Sequence, residues 1–428
     1  MGLNNSFSAP HIVAYTAISV IESYIALEYG SIYWKTASLS VDAGIQGDMV
    51  EGIDYTKLSK AVTEAKSLIE LPDINLSEVG FTPNNNKILY GLGAISGVGN
   101  DDIKLIIDNR PYSSFDDFMK KVGNSLSTKK IATLIKSGLF HSFNTSTREL
   151  AISYLQKYTP RKEKLTTVQL PKIIEYVPSE YETEKNAYQL SSSLFGRKAV
   201  ALTSDMETYI LKNHSKDFAV DYKNGKMVVD EKSFKKWFNK VVTPLKEWLK
   251  SEEAVEALAK TDMKETWIKE FSGNEAQWYF STLSFYPFFH ELEYTNIHEV
   301  VDLNKFSDLP EEGVKVDSRV KYDRGVVAGT VIDKDKRGLI TMVSNTDEVL
   351  TVRVGKDRYS KYNKKNMQGE GKNRVLVEDS WFVRGTTLVV VGYRRGNDFV
   401  ANKYGTGYKT ELMKVVGFPN IELKSRAD

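Results

Sequence analysis

The stretch that most constrains this chain runs from Lys87 to Phe143, because glycines fix its turns and apolar residues at helical spacing fix what lies between them. Gly97, Val98 and Gly99 follow an apolar segment that ends at Ile95, and a helix is predicted to open at Asn100 or Asp101. Ile103, Ile106 and Ile107 give that helix one apolar face. Glycine suits such a turn because it accepts positive φ, and because a missing Cβ lets a ligand approach the backbone N–H groups. A second unit follows, in which Ser127 caps a helix with Ile131, Leu134 and Ile135 on one face, ending at Ser137 and Gly138.

A helix N-terminus presents unpaired donors and the positive end of a dipole. Two such corners in tandem form a helix-hairpin-helix pattern, which predicts a grip on a nucleic-acid backbone. A lone Gly-x-Gly is more often only a turn. Two spaced units, with Lys120, Lys121, Lys129, Lys130 and Lys136 around the second, shift the balance toward DNA.

Composition sets the remaining limits. The 428 residues are enough for two or three domains, and a formal charge of +2 means that any basic surface is local. With no cysteine there is no disulfide framework and no thiolate metal site. His11, His141, His214, His290 and His298 show no zinc-binding spacing. Ile12 to Leu27 is mostly apolar but too short for a bilayer and broken by Glu22, so no membrane association is expected. A signal peptide is not indicated either, and a soluble, cytoplasmic protein is expected.

Taken in order, His11 to Tyr33 has the apolar spacing of a packed helix, Asp42 to Ile53 reads as a glycine-broken loop, and Tyr55 to Ile69 returns to helix. Tyr158 to Lys164 reads as a linker. Ser233 to Leu249 places Phe234, Trp237, Phe238, Val241, Leu245 and Trp248 on one face, a stripe more often core than a base-stacking platform, with Pro244 dividing the helix. From Val314 to Tyr408 short β-branched runs alternate with turns, the pattern of a small barrel.

GLGAISGVGNDDIKLIIDNRPYSSFDDF followed by IATLIKSGLFHSF resembles the helix-hairpin-helix region of the α subunit of bacterial-type DNA polymerase III, a C-family replicative polymerase. LPDINLSEVGFT at Leu71 to Thr82 and SAPHIVAYTAIS at Ser8 to Ser19 are similar to further segments of that family, the latter to its fingers motif. The resemblance covers roughly the first 150 residues, with weaker echoes later, such as LSFYPFFHELEY. It implies that His11 and Tyr15 contact nucleotide or template, although Ser8, Ala9 and Pro10 stand where the family has a lysine. His11 could equally serve as a structural cap.

The resemblance also implies that the C-terminal strands form an OB-fold, with a single strand crossing its face. Tyr359, Tyr362, Trp381, Phe382 and Tyr393 are the candidate stackers, each either inside or outside the barrel by strand alternation. Gln189, Leu190, Leu194 and Phe195 in YQLSSSLFGR are similar to a stretched version of the peptides that bind a sliding clamp, against the plainer reading of an amphipathic segment.

The family's palm holds Mg²⁺ on three aspartates. Here PDIN offers Asp73 alone, with Asn75 two residues on, and one carboxylate cannot hold two Mg²⁺ ions. No catalytic or metal-binding residue is therefore assigned to this chain. Mg²⁺ is expected at the palm of a partner polypeptide.

The expectation is a multidomain α+β protein. Residues 1–85 are the end of the fingers, 86–150 a tandem helix-hairpin-helix region, 151–312 a linker and helical middle region, and 313–428 an OB-like β-barrel. The predicted function is that of a C-terminal subunit or fragment of a replicative polymerase, inactive alone, either one piece of a split enzyme or a separate gene product whose catalytic half lies on another polypeptide. The alternative is a stand-alone, non-catalytic DNA-binding accessory protein of replication or repair. Primer-template duplex and single strand are expected at Gly97, Val98, Gly99, Asn100, Lys129, Lys130, Lys136, Gly138, Arg337, Arg353, Lys356, Arg358, Tyr359, Trp381, Arg394 and Arg395.

Overall fold

Gly30 stands at φ 88°, a conformation that costs glycine nothing, and it divides the first apolar helix in two: α1 (Ala9–Tyr29) and α2 (Ser31–Asp42). The computed structural model describes residues 9–47, 49–195, 204–223, 226–369 and 374–426. Asp54 accepts hydrogen bonds from the Thr56 and Lys57 amides and so starts α3 (Tyr55–Glu64). Two short strands, Ile45–Gln46 and Met49–Val50, pair within the stretch expected to be a loop.

A small sheet follows, in which Lys87–Leu89 pairs in parallel with Ile69–Glu70 and antiparallel with Thr82–Asn84. It leads into α4 (Asn100–Asp108), α5 (Phe115–Lys121) and α6 (Thr128–Lys136). Each helix buries its apolar face. Ile103, Ile106, Ile131 and Leu134 are buried, and Phe140 packs edge-on against Phe115 and Phe118 at 5.0 Å each.

The C-terminal barrel comprises β1 (Gly325–Asp335), β2 (Leu339–Ser344), β3 (Val349–Arg353), β4 (Thr387–Arg395) and β5 (Asp398–Ala401). Its strand order is β1-β2-β3-β5-β4, closed by pairing of β4 with β1, and β3 runs parallel to β5. This is the topology of an OB-like barrel. Val327, Val331, Ile340, Val352, Leu388 and Phe399 fill its interior. On the outside, Val326, Ala328, Val389 and Val391 are covered by Leu292, Ile297, Met413 and Val415. Strands β1 and β4 are thus buried on both faces, which is why their sequences read as near-continuous apolar runs.

Part of the predicted strand RVLVEDSWFV lies elsewhere. Val375–Glu378 pairs with Asn366–Gln368 in a hairpin outside the barrel, and Trp381 and Phe382 turn inward. They meet Tyr359 and Tyr362 from a helix at Lys356–Asn363 that the sequence reading missed. The three-residue spacing of the two tyrosines puts both on its inner face.

The chain forms two compact units, one of residues 1–151 with 271–428 and one of residues 152–270. Residues 271–312, expected with the middle region, therefore group with the hairpins and the barrel. Residues Leu283 to Tyr286 tie those two parts together. Tyr90 Oη donates to Leu283 O at 2.6 Å, Ser59 Oγ donates to Ser284 O at 2.6 Å, and Tyr286 Oη donates to Thr330 Oγ1 at 2.8 Å.

Residues 152–270 hold two cores. One gathers Leu165, Leu170, Ile173, Leu245, Trp248 and Leu258; the other gathers Leu190, Ile210, Phe218, Met227 and Phe234. The aromatic stripe from Phe234 to Trp248 supplies both. A break at Val242 separates helix Glu231–Val241 from helix Thr243–Trp248, with Pro244 in the second helix's first turn.

Candidate nucleic-acid interface

The two hairpins are joined at their tips. Gly99 caps α4 and donates its N–H to Asp102 Oδ2 at 3.0 Å. The other oxygen of Asp102 accepts from Lys130 Nζ at 2.6 Å, in the first turn of α6. Ser127 caps α6 by accepting from the Lys130 N–H. The contact sets the N-terminal turns of both helices side by side, an arrangement that favours an anion lying across them.

The amides of the first corner are less open than its glycines imply. Val98 N–H donates to Ile95 O, and Gly99 N–H is held by Asp102. The Asn100 side chain pairs with the backbone of Val50, accepting at 3.2 Å and donating at 3.4 Å. Gly97 keeps its predicted role as a turn residue: φ is 90°, the residue is exposed, and a Cβ there would meet nothing within 4 Å.

At the second corner, Ser127, Thr128 and Lys129 are exposed and Lys130 is half-buried. Lys136 lies at the other end of α6, roughly 12 Å along the axis, and does not join this surface. Gly138 is buried with φ 73°, and a Cβ there would stand 3.0 Å from Leu71 Cδ1 and 3.1 Å from Tyr279 Cε1. It is a packing position, so its assignment to DNA is corrected.

The barrel alters the expected contacts further. Tyr359 and Trp381, expected to stack on bases, are buried in the barrel core, and Trp381 Nε1 donates to Glu378. Most of the expected phosphate contacts face acids of their own domain. Arg337 pairs with Asp335, Arg353 with Asp398, and Arg358 with Glu411 at 3.1 Å. Arg394 lies over the Phe306 ring and binds Glu311 and the Ser307 carbonyl. Lys356 and Arg395 are exposed. The upper outer face of β2 and β3 is covered as well: Val343 and Val349 pack with Tyr55, Phe280 and Tyr286.

His11 and Tyr15 are exposed on α1, whereas Ser8 lies outside the described residues. The apolar stripe of α1, read as core packing, is instead exposed. Ile12, Val13, Tyr15, Ile18, Val20, Ile21, Tyr24 and Leu27 all lie on the surface, Leu27 at 86%. The segment compared with a clamp peptide lies within helix Glu182–Phe195. There Leu190 is core and Leu194 packs against it, while Gln189 is open; the Phe195 side chain, Gly196 and Arg197 lie outside what the structure describes. A clamp groove needs the two leucines exposed, so their use as docking residues is corrected.

Asp73, the one acid of PDIN, is buried, and Oδ1 accepts from the Asn75 and Leu76 amides at 2.8 and 3.0 Å. It shapes a turn, and its surroundings do not fit a pair of Mg²⁺ ions. Among the described residues, no three carboxylates or histidines gather to hold a metal ion. None of the described helices is long and apolar enough to cross a membrane.

Sequence reading missed Asp102 and Arg384. An acid at the third position after a glycine cap was the signal for the first. Arg384 carries no local signal: its guanidinium lies 3.9 Å from the Tyr55 ring centre and donates to Ser284 Oγ.

Side-by-side hairpins carried on a body with an OB-like barrel are the class of architecture this geometry defines. Residues 67–150 match the helix-hairpin-helix motif family. Across 93% of its length the chain is 33% identical to the probable DNA polymerase YorL of Bacillus subtilis and, with the same figures, to the DNA-directed DNA polymerase of Bacillus phage SPbeta. The chain spans only 33% of the length of each. Over 34% of its length it is 32% identical to DNA polymerase III subunit alpha of Borreliella burgdorferi, covering 12% of that protein. The chain is thus similar to DNA polymerases over most of its length, and to the α subunit of DNA polymerase III over about a third of it.

Proposed function

We propose that this chain grips primer-template DNA as the non-catalytic C-terminal part of a C-family replicative polymerase, beside a polypeptide that carries the palm carboxylates. The observation that carries the reading is the Lys130–Asp102 contact, which brings two helix N-termini and the exposed Lys129 to one edge. Two dipole ends and a cation suit the backbone of a duplex, whose phosphates give position without sequence preference. The relatives' names, DNA polymerases, agree with that use.

A partner polypeptide is favoured over a stand-alone accessory protein by α1. A helix with this many exposed apolar side chains fits inside a larger assembly, and about two-thirds of the length of each of the two Bacillus relatives lies outside the part this chain matches. In this reading the partner's palm holds the Mg²⁺ ions and joins nucleotides, while this chain positions the primer-template.

The test is binding of the full chain to a labelled primer-template duplex, followed by anisotropy, with Lys129→Glu and Gly97→Val beside the parent. Each folded variant should bind several-fold more weakly, and Lys129→Glu should reduce the salt slope by about 1. Unchanged binding in folded variants would overturn the grip. Primer extension by the purified chain alone would overturn the non-catalytic assignment.

A further inference from the structure

A groove of about 550 Å³ lies between the hairpin of Val314–Val316 and Arg319–Lys321 and the ends of β4 and β5. Its size is within the range of roughly 300–1,000 Å³ common for ligand clefts. The residues that matter are Arg319, Lys321, Tyr322, Arg324, Tyr393 and Tyr404. Three cations face a single acid there, Asp317. This differs from much of the barrel surface, where Arg337, Arg353, Arg358 and Arg394 are matched with acids.

The aromatic residues are already arranged as a stack. Tyr322 lies over Tyr393 with ring centres 4.5 Å apart and planes 28° from parallel, and the Arg324 guanidinium lies 4.7 Å from the centre of the Tyr393 ring. Nη1 of Arg324 is shielded from solvent and has no hydrogen-bond partner among the described residues. A buried donor without a partner is costly, and a phosphate oxygen against a guanidinium is a strong acceptor. Tyr404, which also lines the groove, is 82% exposed and offers an open aromatic face among these cations.

We propose that this groove seats single-stranded nucleic acid, with a base stacked on Tyr404 and the neighbouring phosphates held by Arg324, Arg319 and Lys321. Aromatic faces beside cations without acid partners bind single strands with little sequence preference. A duplex keeps its bases stacked inside and cannot use Tyr404. An acidic peptide would use the cations and leave the aromatic wall idle. The proposal rests on the DNA-binding reading above and adds a second, separate contact to it, away from the half-covered face of β2 and β3.

The experiment compares oligo(dT) with a blunt duplex on the full chain, using Tyr404→Ala, Arg324→Gln and, as control, Lys129→Glu. Tyr404 is so exposed that its replacement should leave the thermal melt unchanged, which keeps the test usable if Arg324→Gln unfolds. Tyr404→Ala should weaken oligo(dT) binding by about tenfold, in line with one lost stacking contact. Arg324→Gln should do likewise and lower the single-strand salt slope by about 0.7. Neither should move duplex binding, whereas Lys129→Glu should weaken it. A chain that binds duplex normally but shows no effect of Tyr404→Ala on oligo(dT) overturns this proposal and leaves the hairpin grip standing. A chain that binds neither DNA overturns both. Equal loss of duplex and single strand in Tyr404→Ala overturns the separation of the two contacts.

Discussion

Lys130 Nζ stands 2.6 Å from Asp102 Oδ1, and each residue is the third of its helix. One carboxylate thus closes the cap of α4 and locks the cap of α6 beside it. The cost is a negative charge at the place where a phosphate would lie.

Asp102→Asn separates these effects. The amide oxygen still accepts from Gly99 N–H, while the ion pair is lost and Lys130 is released. Because the Lys130 side chain is 42% exposed, the pair contributes roughly 0.5 kcal/mol, and unfolding in urea should show a loss of that order. Duplex affinity at low salt should rise, with a salt slope steeper by up to about 1. A fall in affinity for the folded variant would show that the geometry matters more than the charge.

Arg384 should be among the most sensitive positions outside the apolar cores. Its guanidinium packs against the Tyr55 ring and donates to Ser284, so it links α3, the Leu283–Tyr286 segment and the barrel. Arg384→Ala should destabilise the protein by about 2–4 kcal/mol, through lost packing and a lost charged hydrogen bond. Arg384→Lys should recover only part of this, because an ammonium lacks the flat face that lies on Tyr55. Urea unfolding of the three proteins measures the order.

What could be read directly from the chain was local. Ser127 and Gly99 announce their helices because a cap depends on a few neighbouring residues, and the isoleucines of α4 and α6 mark inner faces by spacing alone. Partners far along the chain could not be read. Arg353 looks like a phosphate contact until Asp398 is beside it, and Arg358 until Glu411 is. Trp381 and Phe382 sit in a run that looks like a strand, yet both pack into the barrel core. The stripe on α1 carries the spacing of a packed helix, and spacing does not say whether the surface that covers it belongs to the same chain.

His290 and Glu291 predict how stability varies with pH. Both are buried beside Thr330, and Glu291 accepts from the hydroxyls of Thr330 and Thr387. Burial, aided by Lys66, holds the His290 imidazole at about 3, below its ordinary value of about 6.5. The unfolded chain therefore takes up this proton first, and stability falls as pH drops from about 6.5 toward about 3, with a slope of up to about 1.4 kcal/mol per pH unit. Burial pushes Glu291 the other way, upward, so the folded state keeps its proton longer than the unfolded one. Its contribution declines as pH rises above the ordinary carboxylate value. His290→Asn preserves an acceptor for the Leu292 N–H and should flatten the acid side of a melting-temperature profile. Glu291→Gln should raise stability at neutral pH relative to pH 5. An unaltered acid side in His290→Asn would place the titrating group elsewhere.

Leu190 tests the assignment of its helix. It is buried with Ile210, Phe218, Met227 and Phe234, while its neighbour Gln189 is exposed. If the segment were a docking peptide, truncating the leucine would spare the fold and remove a partner. In a core position the same truncation leaves a cavity, and Leu190→Ala should cost about 2–4 kcal/mol. The two compact units of the chain allow a local readout, because hydrogen exchange should quicken in helices Glu182–Phe195 and Glu231–Val241 while α4 and α6 keep their protection. Gln189→Ala, changing an exposed side chain on the same helix, should leave exchange within error of the parent. Exchange unchanged by Leu190→Ala would return the segment to the surface and reopen its use as a docking peptide.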